Sequence, residues 1–260
     1  MSPNRLRALA FTVAGIVVGG LLAWAIAGLP GFGRYPGPYG PLVNRLTVPA
    51  RNATDAVTAV NLDFRGLDTM VEEFIMFTSV SAVVVLLRRQ AQEREQSEEE
   101  EAPGRVSPAR DDALRVIGVP LSAAIVVFGL YLVGHGQLSP GGGFQGGAVL
   151  VSALLLIYLV AGFEAMHRLS PTGLVEFAEG VGAGGFVVIG LAAVAVGAAF
   201  LQNVMPLGQS GLIDSAGTMP VIYTAVGLEV ATGFALVLSE FLQQLNVVPS
   251  QRQSEGGGGS

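Results

Sequence analysis

Six apolar stretches constrain this chain more than anything else in it: about Leu9–Leu29, Met70–Leu87, Leu114–Val133, Ala148–Phe163, Val181–Leu201 and Val221–Phe241. Each is near the roughly 20 residues that an α-helix needs to cross a bilayer. The expected fold is all-α, a polytopic integral membrane protein of about six transmembrane helices. Composition agrees, with 51% hydrophobic residues, 13% charged residues and a mean hydropathy of +0.57, well away from an ordinary soluble domain. The first stretch follows Arg5 and Arg7 as a signal peptide would. Its apolar run is longer than a typical signal core, and Gly28-Leu29-Pro30-Gly31 is a poor cleavage site, so a retained helix is expected.

Between the third and fourth stretches lies Gly134-His135-Gly136-Gln137-Leu138-Ser139-Pro140-Gly141-Gly142-Gly143-Phe144-Gln145-Gly146-Gly147. Glycine lets one backbone come within contact distance of another. A merely flexible loop would more readily carry serines and charges, and would lack the apolar Phe144 at its centre. The structural loop of Pro140, Gly141, Gly142, Gly143, Phe144, Gly146 and Gly147 is therefore expected to fit tightly against something, with the fourth helix starting inside it.

The chain contains no cysteine, which excludes disulfides, thiolate metal sites and thiol catalysis, and its two histidines make a histidine-rich metal centre untenable. The basic residues are dispersed without interleaved aromatics, so nucleic acid is not an expected partner. All of them are arginine. A phosphate-binding P-loop needs a lysine that is absent, and a dinucleotide fingerprint needs a preceding strand where this loop has membrane spans. No cofactor and no enzymatic activity are expected.

Arginine placement suggests the topology. Arg5 and Arg7 precede the first span, and Arg88, Arg89, Arg94, Arg105, Arg110 and Arg115 lie between the second and third. Arg168 and His167 lie between the fourth and fifth, while the third-to-fourth and fifth-to-sixth connections carry no arginine. Both termini are expected to be cytoplasmic in a cell membrane. The long first connection, with Arg34, Arg45, Arg51 and Arg65, runs against this pattern, and long loops obey the rule weakly.

A charge run around Glu98-Glu99-Glu100-Glu101, then Pro103-Gly104, marks the strongest internal boundary and reads as a solvated linker. The expected organisation is a two-helix segment over 1–90, a charged linker over 91–110, a four-helix domain over 111–249 and a flexible tail over 250–260. In the fifth span, Gly180, Gly184, Gly190 and Gly197 suggest a helix-packing surface without chemistry of its own.

Ionisable groups inside a span are costly and mark ion paths or paired sites. Glu229 sits near the middle of the sixth span with no basic residue within a helical turn. Its partner must be another helix, a cation or a proton; the competing reading is a protonated packing group. Glu72 and Glu73 open the second span on different sides of the helix. Glu72 shares a face with Thr69, Met76 and Ser79, and this polar stripe favours Glu72 as the inward residue, leaving Glu73 interfacial. The competing reading of Glu72 is a carboxylate placed by the helix dipole. Glu164, beside His167 and Arg168, reads as a surface cluster. His135 favours a local structural hydrogen bond over proton relay.

Gly134-His135 followed by Pro140-Gly141-Gly142-Gly143-Phe144-x-Gly146-Gly147, set between two spans, strongly resembles the B-type small membrane component of the multisubunit Mrp/Mnh-type sodium/proton antiporters. The resemblance covers roughly Ala109–Val248. Asp63-Phe64-Arg65-Gly66-Leu67-Asp68-Thr69-x-x-Glu72 is similar to a signature at the C-terminal end of the large A-type component of the same antiporters, although Leu67 replaces the usual phenylalanine and Glu73 is an extra acid. Ser139 makes the glycine loop slightly longer than usual. Equivalent small subunits occur in membrane-bound hydrogenases.

The resemblance implies a fusion of the tail of the A-type component with the B-type component. Its expected partners are other subunits of a multisubunit antiporter and the lipid bilayer, and its transported ions are Na⁺ and H⁺. The ion-path candidates are Glu72, Glu229, Asp68 and His135, with no metal beyond transient Na⁺. Two readings compete with cation/proton exchange: the same ion-translocating module within a membrane-bound hydrogenase or related redox complex, and a purely structural assembly subunit.

Overall fold

The computed structural model describes residues 3–29, 33, 37–95 and 112–246. Most of the expected linker, 96–110, and the tail 250–260 lie outside the described residues. In a bilayer every peptide group must find a partner within the protein, which a helix provides within one segment. The described residues are organised into helices, with no strand among them. The helices are α1 (Pro3–Ala27), α2 (Tyr39–Arg51), α3 (Ala56–Ala59), α4 (Gly66–Glu95), α5 (Asp112–Gly134), α6 (Gly143–Ala161), α7 (Phe163–Leu169), α8 (Thr172–Ala195) and α9 (Met219–Asn246). A π-helical turn, Val60–Phe64, precedes α4. Six of them, α1, α4, α5, α6, α8 and α9, are long and apolar enough to cross a membrane. The chain forms two units, 1–42, which contains α1, and 43–260.

In the second unit α9 is the central helix, packing on α4, α5, α6 and α8. Its buried positions Ile222, Val226, Glu229, Gly233, Leu236 and Glu240 recur at three- and four-residue steps, the spacing of one helix face. Val221, Thr224, Leu228 and Phe241 point outward. Between helices in lipid there is little hydrophobic drive, so association rests on close packing of small residues. Glycines provide that closeness. A Cβ on Gly143 would stand 2.5 Å from the Tyr223 carbonyl oxygen, and one on Gly147 would stand 2.7 Å from Val230 Cβ. Gly146 likewise presses on Val133 of α5.

The glycine loop is anchored by hydrogen bonds as well. Thr58 Oγ1 donates to the Gly136 carbonyl at 2.6 Å, Gln137 Nε2 donates to the Ile213 carbonyl at 2.8 Å, and the Tyr223 hydroxyl donates to Gln137 Oε1. Gln137 is completely buried. The tight fit expected of this loop is present, and α6 begins inside it. Phe144 does not make that fit, because its side chain lies on the second residue of α6 and is exposed, as is Pro140. Backbone contact through Gly136, Gly141 and Gly143 does the work expected of the ring.

Two further expectations need correction. The fifth span begins at Thr172 rather than Val181, directly after Pro171. Glu176 and Glu179 lower the hydropathy there, but glutamate is a good helix former and does not delay the helix. The small-residue surface is also displaced in part: Gly190 is buried against the Phe200 ring as a packing position should be, but two of the other glycines are not. Gly180 and Gly184 have no atom within 4 Å of an added Cβ, whereas Gly182 packs against the backbone of Glu229. Gly197 is a helix stop: with φ of +85°, its N–H bonds the Val194 carbonyl while Ala198 N–H bonds the Ala193 carbonyl, the paired pattern of a glycine-terminated helix.

Candidate functional site

Three spans bring carboxyl groups into the interior of the second unit. Glu73 of α4, Glu179 of α8 and Glu229 of α9 are 1%, 5% and 0% exposed, respectively. Glu229 is where sequence reasoning places it, at mid-span and buried. Both oxygens of Glu229 and of Glu73 lack a hydrogen-bond partner among the described residues. The two carboxyls face each other where α4 packs on α9. Two carboxylates are both acceptors, so they can bond only when a proton or a cation lies between them. A bare charge in such surroundings is too costly to persist. The arrangement therefore holds a proton or a cation.

The inward residue on α4 is Glu73, and Glu72 lies on the exposed side. The polar stripe that favours Glu72 misleads for a physical reason. Thr78 Oγ1 and Ser79 Oγ donate to the carbonyls of Phe74 and Ile75, four residues back in the same helix. A hydroxyl satisfied in this way can face outward. Thr69, which lies a turn from both acids, is buried and donates to the Asn61 carbonyl. Glu73 aligns with it and with the buried Val80 and Val84.

The remaining candidates lie apart from the carboxyl pair. Asp68 is exposed and accepts from Arg65 Nε at 2.6 Å. His135 stacks on Tyr131 with ring centroids 4.0 Å apart, and its Nδ1 lies 3.1 Å from the Tyr131 carbonyl oxygen. Glu164 pairs with Arg168 at the surface. Asp63, in the π-helical turn, pairs with Arg51, whose guanidinium also sits 5.4 Å from the centre of the Phe64 ring. Burial pushes the Asp63 carboxyl above its ordinary value, and Arg51 pulls it back.

Sequence reasoning missed a second group of charges. Arg88 of α4 bonds Glu176 of α8 through Nη1 at 2.6 Å and Glu240 of α9 through Nε at 2.7 Å. Hydropathy starts the fifth span too late to include Glu176 and Glu179. Glu179 and Glu240 carry a periodic signal: each falls on its helix's buried face, with Val175, Gly182 and Phe186 for one and Glu229, Gly233 and Leu236 for the other.

Comparison with known proteins gives these features a context. Residues 113–236 match the family described as a domain related to the MnhB subunit of Na⁺/H⁺ antiporters. An uncharacterized protein of Methanocaldococcus jannaschii is 25% identical over 250 residues, covering 89% of this chain and 90% of that protein. Among solved structures, a chain of the membrane-bound sulfane sulfur reductase, an archaeal respiratory membrane complex, is similar at 30% identity and a TM-score of 0.68. That match covers 91% of this chain and 98% of the other. A chain of the Mrp complex from Dietzia sp. DQ12-45-1b shares the fold at 23% identity and a TM-score of 0.64, over 96% of this chain but only 27% of the other.

Proposed function

Given that the chain belongs to the family of MnhB-related membrane subunits, we propose that it works within a multisubunit complex as an ion-translocating component exchanging Na⁺ or another monovalent cation for H⁺. The observation that carries this reading is the Glu73–Glu229 pair, buried between two spans with no partner for its oxygens among the described residues. Hard carboxylate oxygens suit Na⁺, and the same oxygens bind a proton when the ion leaves. Alternate occupancy of one pair by either ion is the elementary step of exchange. Glu72, turned outward from the same turn of α4, is the acid available to a neighbouring subunit. We further propose that both termini face the cytoplasm, since arginines gather in the first turns of α1 and from the last turns of α4 to the start of α5, and that residues up to 90 correspond to the tail of the large A-type antiporter component.

A second reading has its own support. The similarity to a chain of the sulfane sulfur reductase complex, at higher identity than to the Mrp chain, favours the same ion path inside a redox-driven assembly. In either complex the subunit itself carries ions while other chains drive them.

The test is Na⁺-driven proton movement in vesicles reconstituted with the intact complex. Glu229→Gln and Glu73→Gln complexes that assemble normally are expected to lose Na⁺-dependent exchange. Exchange at the native rate in both would leave the acids as packing groups.

A further inference from the structure

A line of charged side chains approaches the carboxyl pair from the end of the bundle where α8 begins and α4 and α9 end. Glu179 is 5% exposed and its Oε1 has no partner among the described residues. That oxygen lies 3.4 Å from where a Cβ on Gly233 would stand, and Val80 of α4 approaches the same point to 3.2 Å. Gly233 is one turn from Glu229 along α9, so α4, α8 and α9 meet at a glycine with the unpartnered Glu179 Oε1 against it. One turn back along α8 from Glu179 is Glu176, held by Arg88. Exposure falls along this line, from 42% for the Glu176 side chain and 39% for that of Arg88 to 5% at Glu179 and 0% at Glu229. Beyond the pair in the other direction stand Phe186, Ile222 and Val226, all buried and apolar.

Resting on the ion-exchange reading above, we propose that a monovalent cation, Na⁺ or H⁺, reaches Glu229 and Glu73 through Glu176 and Glu179, and that Arg88 guards this entrance. While Arg88 bridges Glu176 and Glu240, its charge repels an incoming cation and occupies the carboxylate that would receive it. Glu240 is buried and anchors the guanidinium. Glu176 is half-exposed and is the partner that lets go, since ion pairs in contact with water contribute little and break readily. Released, Glu176 accepts the ion and passes it one helical turn to Glu179. Gly233, having no side chain, lets the Glu179 carboxyl lie against α9 one turn from Glu229.

Access can be read without measuring transport. The purified complex is treated with a water-soluble carbodiimide and glycine ethyl ester, and modification of each glutamate is followed by peptide mass spectrometry. Glu176 is expected to react first in the native complex and Glu179 slowly. In Arg88→Gln, Glu179 is expected to react about tenfold faster, the factor equivalent to removing about 1.4 kcal/mol of closing contacts. Arg88→Lys is expected to stay near the native rate. Glu176→Gln, a change at an exposed position, is expected to open the entrance too and serves where Arg88→Gln does not assemble. Slower modification of Glu179 in Na⁺ than in choline identifies Na⁺ as the entering ion. An unchanged Glu179 rate in both opened variants overturns the proposal, as does modification of Glu229 ahead of Glu179. Either result leaves the exchange role of Glu229 to be judged by the vesicle assay alone.

Discussion

Gly182→Ala tests the packing that holds the site together. The added Cβ would stand 2.6 Å from Glu229 N and 2.8 Å from Glu229 Cα, both backbone atoms that cannot rotate aside. Ordinary contact begins at 3.4 Å, so α8 and α9 must separate by about 0.8 Å at the level of the carboxyl pair. Overpacking of this kind costs about 1–3 kcal/mol. For a chain of this size each kcal/mol shifts the midpoint by roughly 2–4 °C, which sets an expected fall of about 2–12 °C. The same substitution at Gly180 or Gly184 meets open space within the chain. There, replacing a helical glycine by alanine is expected to stabilise by about 0.5–1 kcal/mol. The assay is the apparent unfolding temperature of the detergent-purified complex at a fixed scan rate, because unfolding of such complexes is irreversible. A Gly182→Ala complex as stable as the native one would refute the close α8–α9 approach.

Other outcomes follow from the same geometry. Gly142→Val is expected to reduce complex yield, and its cause is conformational: φ at Gly142 is +110°, a region where a β-branched residue costs about 1–3 kcal/mol, although the space for a Cβ is free. Tyr223→Phe leaves the buried Gln137 Oε1 without its donor and is expected to destabilise by about 1–3 kcal/mol, read as a lower unfolding temperature with unchanged Na⁺ dependence of exchange. Affinity purification in mild detergent is expected to recover large polytopic subunits with this chain. Iron–sulfur or nickel proteins among them would assign it to a redox complex, and their absence to an antiporter.

How far the sequence carries the fold depends on which force each signal reports. Hydropathy reports transfer into lipid, so the six spans are legible, and so is the isolated Glu229. It does not report helix propensity, which is why the start of α8 and with it Glu179 are lost. Glycine spacing reports where backbones can approach, but which face of α8 meets α9 is decided by tertiary packing. That choice falls on Gly182 instead of Gly180 and Gly184. Polar periodicity fails at Glu72 and Glu73 because hydroxyls bonded to their own helix carry no information about the interior. The Arg88 bridge joins residues from three helices, a relation that no local pattern expresses.

The measurement closest to the central claim is infrared difference spectroscopy of the purified complex on exchanging choline for Na⁺ at constant pH. The account predicts loss of a protonated-carboxyl band and gain of a carboxylate band, both absent in Glu229→Gln. A spectrum in which Na⁺ leaves the carboxyl bands unchanged would contradict it.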